Sequence, residues 1–152
     1  MRVPGVGGPR QVVGAALAAL EAAGFTVESA APMIESAPLG PSRREYTNGA
    51  AVVTSEAEPR TVLALLHRIE GTFGRKRRGA RWRARPLDLD IVLWSGGAWI
   101  GADLTIPHPR FRERGFVLGP AAAIASDWRD PATGLSLRQL HARLTRPRPL
   151  PR

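Results

Sequence analysis

The chain contains no cysteine. That excludes a disulfide framework and any thiolate metal site, and it is compatible with the cytosol. No apolar run approaches the ~18–20 residues of a membrane span. The opening Met-Arg-Val-Pro-Gly-Val-Gly-Gly lacks the apolar core of a secretory signal. A cytoplasmic protein with no membrane partner is expected. Aromatic residues are scarce, at 6%, and no internal repeat is found. Acidic residues are outnumbered, 13 against 22 basic ones, and the net charge of +9 calls for an anionic partner: nucleotide, nucleic acid or acidic membrane. What is present is enough for a core. At 152 residues with 43% hydrophobic content, the length predicts one domain over 1–145, followed by a basic, proline-rich tail over 146–152. The 16 glycines and 14 prolines fall at separate turns rather than in one block, which predicts ordered loops.

The chain centres on Arg85-Pro-Leu-Asp88-Leu-Asp90-Ile-Val-Leu-Trp94. Leu87, Leu89, Ile91 and Leu93 alternate with Asp88, Asp90 and Val92, a period of two that predicts a strand with one apolar face. A strand would set Asp88 and Asp90 on one face with Cα atoms about 6.6–7 Å apart. Two such carboxylates can share a pair of Mg²⁺ ions ~3.5–4 Å apart, as in-line phosphoryl chemistry often requires. Just before them, seven of the eleven residues from Arg75 to Arg85 are basic. Taken singly, each feature has a plainer reading: Asp-x-Asp also describes a solvated strand face, and a basic run also describes a solvated loop or a nucleic-acid patch. Their adjacency points to a nucleoside triphosphate.

Elsewhere the periodicity predicts a helix from Pro9 to Ala23, with Val12, Val13, Ala16, Leu17 and Leu20 as its stripe and Gly24 as its stop. Phe25 to Glu35 has strand character broken at Ala31-Pro32, Pro38–Arg44 is a loop, and Ala50–Thr54 is a second strand. Glu58–Gly71 is a second helix with Val62, Leu65, Leu66 and Ile69 inward. Trp99–Ile106 is expected to pair back on the aspartate strand after Ser95-Gly-Gly97. Arg112–Ala125 and Ser136–Leu144 are expected to be helical.

Several motifs in order carry a resemblance. Arg83-Ala-Arg-Pro-Leu-Asp-Leu-Asp-Ile-Val92 is followed by Ile106-Pro-His-Pro-Arg110 and Arg114-Gly-Phe-Val-Leu118, and preceded by Ser36-Ala-Pro-Leu-Gly-Pro41 and Tyr46-Thr-Asn48. Over roughly residues 9–145 the chain resembles the 6-hydroxymethyl-7,8-dihydropterin pyrophosphokinases of folate biosynthesis. The resemblance implies a ferredoxin-like α+β fold, ATP as co-substrate, AMP as a product, and a monomer that binds small molecules rather than nucleic acid. The family opens on a strand ending in Gly-Ser-Asn, where this chain has Gly5-Val-Gly-Gly8 with no apolar strand ahead. The first strand is therefore expected to be missing or degenerate, which would expose two strand edges.

The same resemblance implies the site residues. Asp88 and Asp90 would hold two Mg²⁺ ions. Arg75, Arg77 and Arg85 would meet phosphates, with Arg77, Arg78, Arg81 and Trp82 in a loop that closes over ATP. Glu70, Ile91, Thr105, His108 and Arg114 would lie about the nucleotide. Tyr46 and Phe116 would sandwich the pterin, with Asn48 at its edge and Ser36, Leu39 and Trp82 nearby. On residue type alone His108 is more often a turn residue, Phe116 is a core residue by default and Asn48 can be a strand end. His67 stands where the family commonly has glutamine. Two other readings remain open: a basic RNA-binding α+β module, which the scarcity of aromatics disfavours, and an inactive, N-terminally shortened relative.

Overall fold

A computed structural model describes residues 8–36, 46–74 and 87–146. The order is α1 (Pro9–Ala22), β1 (Thr26–Ala30), β2 (Ile34–Ser36), β3 (Tyr46–Asn48), β4 (Ala51–Thr54), α2 (Pro59–Gly74), β5 (Trp99–Ile100), β6 (Thr105–Ile106), a 3₁₀ turn (Phe111–Glu113), α3 (Gly115–Ala125) and α4 (Leu137–Thr145). The fold is α+β with antiparallel strand pairs, as expected. Among the described residues the strands form three two-stranded ladders, β1 with β4, β2 with β3, and β5 with β6.

Local chemistry accounts for most of these elements. In α1, Val12, Ala16 and Leu20 are buried four residues apart, which puts them on one face. Pro9 sits in the first turn, where its missing N–H costs nothing. Gly24 ends the helix at φ +102°, a backbone conformation that other residues adopt at a cost. Strand β1 bulges between Val27 and Ser29 in its register with β4, and the break at Ala31-Pro32 separates β1 from β2 as the sequence predicts. Helix α2 buries Leu66 and Ile69 and runs three residues past its expected end.

Among the described residues the packed interior has two parts. In the first, α1 and α2 close over Phe25 and Leu87. In the second, α3 and α4 close over Phe111. The segment 87–93 bridges them: Leu87, Leu89 and Ile91 pack on the first, Val92 and Leu93 on the second.

Two sequence expectations need correction here. Residues 87–93 join no ladder with another described strand, although Leu87 is buried, Leu89 half-buried and both aspartates exposed, in the expected alternation. A period of two specifies which side each residue faces; it does not supply a hydrogen-bonded neighbour. The Trp99–Ile106 hairpin forms, but it pairs with itself, Trp99 opposite Ile106 and Ile100 opposite Thr105, instead of returning onto the aspartate segment. The Gly101 N–H bond to the Leu104 carbonyl (2.9 Å) closes that tight turn and satisfies the strand groups locally. The opening residues 1–7, where the first strand is expected to be missing or degenerate, and the tail from 147 onward lie outside the described residues.

Candidate active site

Asp88 and Asp90 open onto a cleft of about 370 Å³. Helix α2 supplies one wall through Leu63, His67 and Glu70. The β5–β6 hairpin supplies another through Ala102, Asp103, Leu104 and Thr105, and the following loop adds His108 and Pro109. The floor is the segment Asp88–Ile91 itself. Six residues expected at a nucleotide site therefore meet in one place: Glu70, Asp88, Asp90, Ile91, Thr105 and His108. Asp103 and Leu104 join them without any signal in the sequence, because only the self-pairing of the hairpin turns its tip toward the aspartates.

The floor is pinned at three points. Leu87 is buried in the first core. The Leu89 N–H donates to Glu70 Oε2 at 2.7 Å. The His108 N–H donates to the Val92 carbonyl at 3.0 Å. These contacts hold the segment with its two carboxylates outward; the Asp90 side chain is 59% exposed.

The ring of His108 is held at Nδ1. The Arg110 N–H donates to its Nδ1 at 3.2 Å, so the neutral ring carries its proton on Nε2. That nitrogen lies 4.0 Å from Asp90 Oδ2. A donor beside a carboxylate pair suits a phosphate oxygen held between them.

The donor chemistry also suits Mg²⁺, which takes one or two carboxylates and fills its octahedron with water and substrate phosphate. Among the described residues no group of three or more His, Asp or Glu side chains gathers as a closed metal cage. The open two-carboxylate arrangement is of the kind that leaves coordination positions for phosphate.

The other sequence-based candidates fall into two sets. Asn48, Arg114 and Phe116 do not line the cleft. Strands β2 and β3 pair Ser36 with Tyr46 and Ile34 with Asn48, and α3, which carries Phe116, packs against both strands. Phe116 is half-buried and stands outside both cores, with the Arg114 guanidinium 5.8 Å from its ring centre. The aromatic buried in the second core, beside α3, is Phe111. Only the backbones of Ser36 and Tyr46 are described. Leu39, Arg75, Arg77, Arg78, Arg81, Trp82 and Arg85 lie outside the described residues.

One arrangement went unread in the sequence. Asp130, fully buried, receives Arg112 through both carboxylate oxygens (2.5 and 2.7 Å), together with the Ala132 N–H (3.0 Å) and the Thr133 hydroxyl (2.8 Å). The Arg112 bond is the main cause that holds this carboxyl at about 2, against the opposing pull of burial. The same bond raises the Arg112 guanidinium. The pair ties the 3₁₀ turn just ahead of Arg114 and Phe116 to the loop that leads into α4. The partners are eighteen residues apart, and no local pattern links them.

Comparison with known proteins finds one matching family. The family model for 7,8-dihydro-6-hydroxymethylpterin-pyrophosphokinase matches residues 5–126. The chain is similar to the 2-amino-4-hydroxy-6-hydroxymethyldihydropteridine pyrophosphokinase of Synechocystis sp., 40% identical over 118 residues, which cover 78% of this chain and 60% of that protein. It is 43% identical over 94 residues to the protein of the same name from Haemophilus influenzae, covering 61% of this chain and 58% of the relative. It is 38% identical over 125 residues to the Pseudomonas aeruginosa protein of that name, covering 81% and 76%. The chain thus spans about three fifths of the length of the first two relatives.

Proposed function

The chain belongs to the 7,8-dihydro-6-hydroxymethylpterin-pyrophosphokinase family, and on that premise we propose that it transfers the β,γ-pyrophosphoryl group of ATP to 6-hydroxymethyl-7,8-dihydropterin in folate biosynthesis. The hydroxymethyl oxygen attacks the β-phosphorus, the bond from that phosphorus to the α,β-bridging oxygen breaks, AMP departs, and the hydroxyl proton passes to solvent. The observation that carries the reading is the pair of outward carboxylates, Asp88 and Asp90, on the floor of a cleft that also holds His108, Ile91 and Thr105.

Such a transfer needs positioning and charge neutralisation rather than covalent help from the protein. Asp88 and Asp90 would hold two Mg²⁺ ions, which supply neutralisation of the triphosphate and acidification of the attacking hydroxyl. His108 Nε2–H donates to a phosphate oxygen beside Asp90. Ile91, on the floor, and Thr105, on the hairpin wall, take the adenosine end. Arg75, Arg77 and Arg85 would supply guanidinium forks that match phosphate oxygens, and Trp82 of the same basic stretch would help to exclude water. On the other side, Phe116 and Tyr46 take the two faces of the pterin and Asn48 its hydrogen-bonding edge. Ser36 and Leu39 would add contacts to the pterin, and Arg114 would approach the triphosphate. Soluble substrates of this kind fit a cytoplasmic monomer.

The test is AMP release from ATP with and without the pterin and Mg²⁺. AMP that requires all three components supports the reading. Replacing Asp90 by Ala is expected to lower turnover by about a thousandfold or more, as for loss of a principal electrostatic stabiliser, with the far-UV circular dichroism unchanged because the side chain is exposed. Turnover within tenfold of wild type in Asp90→Ala would refute the metal-holding role.

A further inference from the structure

The aspartate segment poses a positioning problem. Its two carboxylates must keep fixed directions, yet among the described residues it has no strand beside it to supply a ladder. A peptide N–H that is taken from water needs a partner. The amide midway between the two carboxylates, that of Leu89, finds Glu70 Oε2 at 2.7 Å.

Glu70 is well placed to be rigid. It follows Ile69, which is buried, and the helix that carries both is anchored again one turn earlier by Leu66. A carboxylate accepting a backbone N–H makes a short, charge-assisted bond. Holding the Leu89 N–H orients the peptide plane between Asp88 and Leu89. That plane sets the exit direction of the Asp88 side chain on one side and, through Leu89, of Asp90 on the other. Leu87 in the core and the Val92 carbonyl under His108 fix the two ends; Glu70 fixes the middle.

We propose that Glu70 is a positioning residue, which aims the Asp88 and Asp90 carboxylates through the Leu89 amide and does not itself contact the nucleotide or the metal. The role rests on the reading that these aspartates hold the metal. It makes a specific demand on chemistry: the bond needs an acceptor at that point, and the negative charge is secondary. Glutamine keeps an acceptor oxygen at the same reach; alanine does not.

The test therefore compares Glu70→Gln, Glu70→Ala and wild type in two readouts. The first is amide hydrogen exchange at Leu89 in the protein alone. The second is binding of Mn²⁺ with α,β-methylene-ATP, an analogue that cannot be cleaved at the reacting bond, followed by the paramagnetic signal of free Mn²⁺. Loss of a charge-assisted bond predicts Leu89 exchange about ten- to a hundredfold faster in Glu70→Ala, and Mn²⁺ affinity weaker by about tenfold or more. Glu70→Gln is expected within about threefold of wild type in Mn²⁺ affinity, the neutral bond being weaker but still aimed. If Glu70→Gln loses Mn²⁺ affinity as severely as Glu70→Ala, the charge itself acts on the ligand and the positioning role is overturned. Unchanged exchange and affinity in Glu70→Ala would overturn it as well. Wild-type protein that protects Leu89 but binds no Mn²⁺–nucleotide would overturn the functional reading and reduce the bond to a structural one, an outcome the exchange data separate from the other two.

Discussion

At the scale of the residue, two carboxylates illustrate opposite uses of the same chemistry. Asp90 is exposed and available to a ligand; Asp130 is buried and spent on Arg112. The folded pKa of Asp130 lies below its ordinary 3.8, at about 2. Its contribution is therefore complete above its unfolded value and is lost as pH falls through the folded one, and the shift corresponds to about 2 kcal/mol. Urea unfolding at a series of pH values should show wild type losing that amount, relative to Asp130→Asn, between about pH 5 and pH 2. A gap between the two proteins that does not change with pH would contradict the assignment. The sequence marked Asp88 and Asp90 because they repeat at a strand spacing beside a basic run. It left Asp130 unmarked, because a buried ion pair between distant residues has no spacing to detect.

At the scale of the element, the helices were the most legible part. Helix α1 announces itself by Pro9, a four-residue apolar spacing and Gly24, all local signals. Helix α4 is similar: Ser136 accepts the Gln139 N–H at 3.1 Å, and the Gln139 side chain returns to the Ser136 N–H at 2.9 Å. This reciprocal cap satisfies two backbone donors that the helix leaves open. Ser136→Ala should cost about 1–2 kcal/mol, read as a lowered thermal midpoint, with Gln139→Ala costing less. Equal stability of Ser136→Ala and wild type would mean the cap contributes nothing to holding α4 on α3. The strands were less legible. The Ala31-Pro32 break is a local signal and was found; the self-pairing of β5 with β6 and the absence of a described partner for 87–93 were not, since pairing depends on what the chain brings alongside.

At the scale of the whole molecule, the aspartate segment is also the link between the two cores. Leu87 fastens it to α1 and α2, and Val92 and Leu93 fasten it to α3 and α4. A site built on the junction is held still only if both sides are folded. Leu87→Ala should therefore cost about 2–5 kcal/mol and should move the unfolding midpoints seen by tryptophan fluorescence and by far-UV circular dichroism together. Trp128, which packs on the second core away from Leu87, reports whether the coupling crosses the junction. Separate transitions in the variant would show two independently stable halves. The sequence by itself determined the helices, the break before β2, the outward aspartates and the ordered motifs that place the chain in its family, because each is written in neighbouring residues through period, turn chemistry or spacing. Only the tertiary structure decided that Glu70 takes the Leu89 amide from nineteen residues away, that the hairpin tip brings Asp103 to the cleft, and that Arg112 closes on Asp130. Such contacts depend on where folded elements come to rest, and no local rule of the chain encodes that distance.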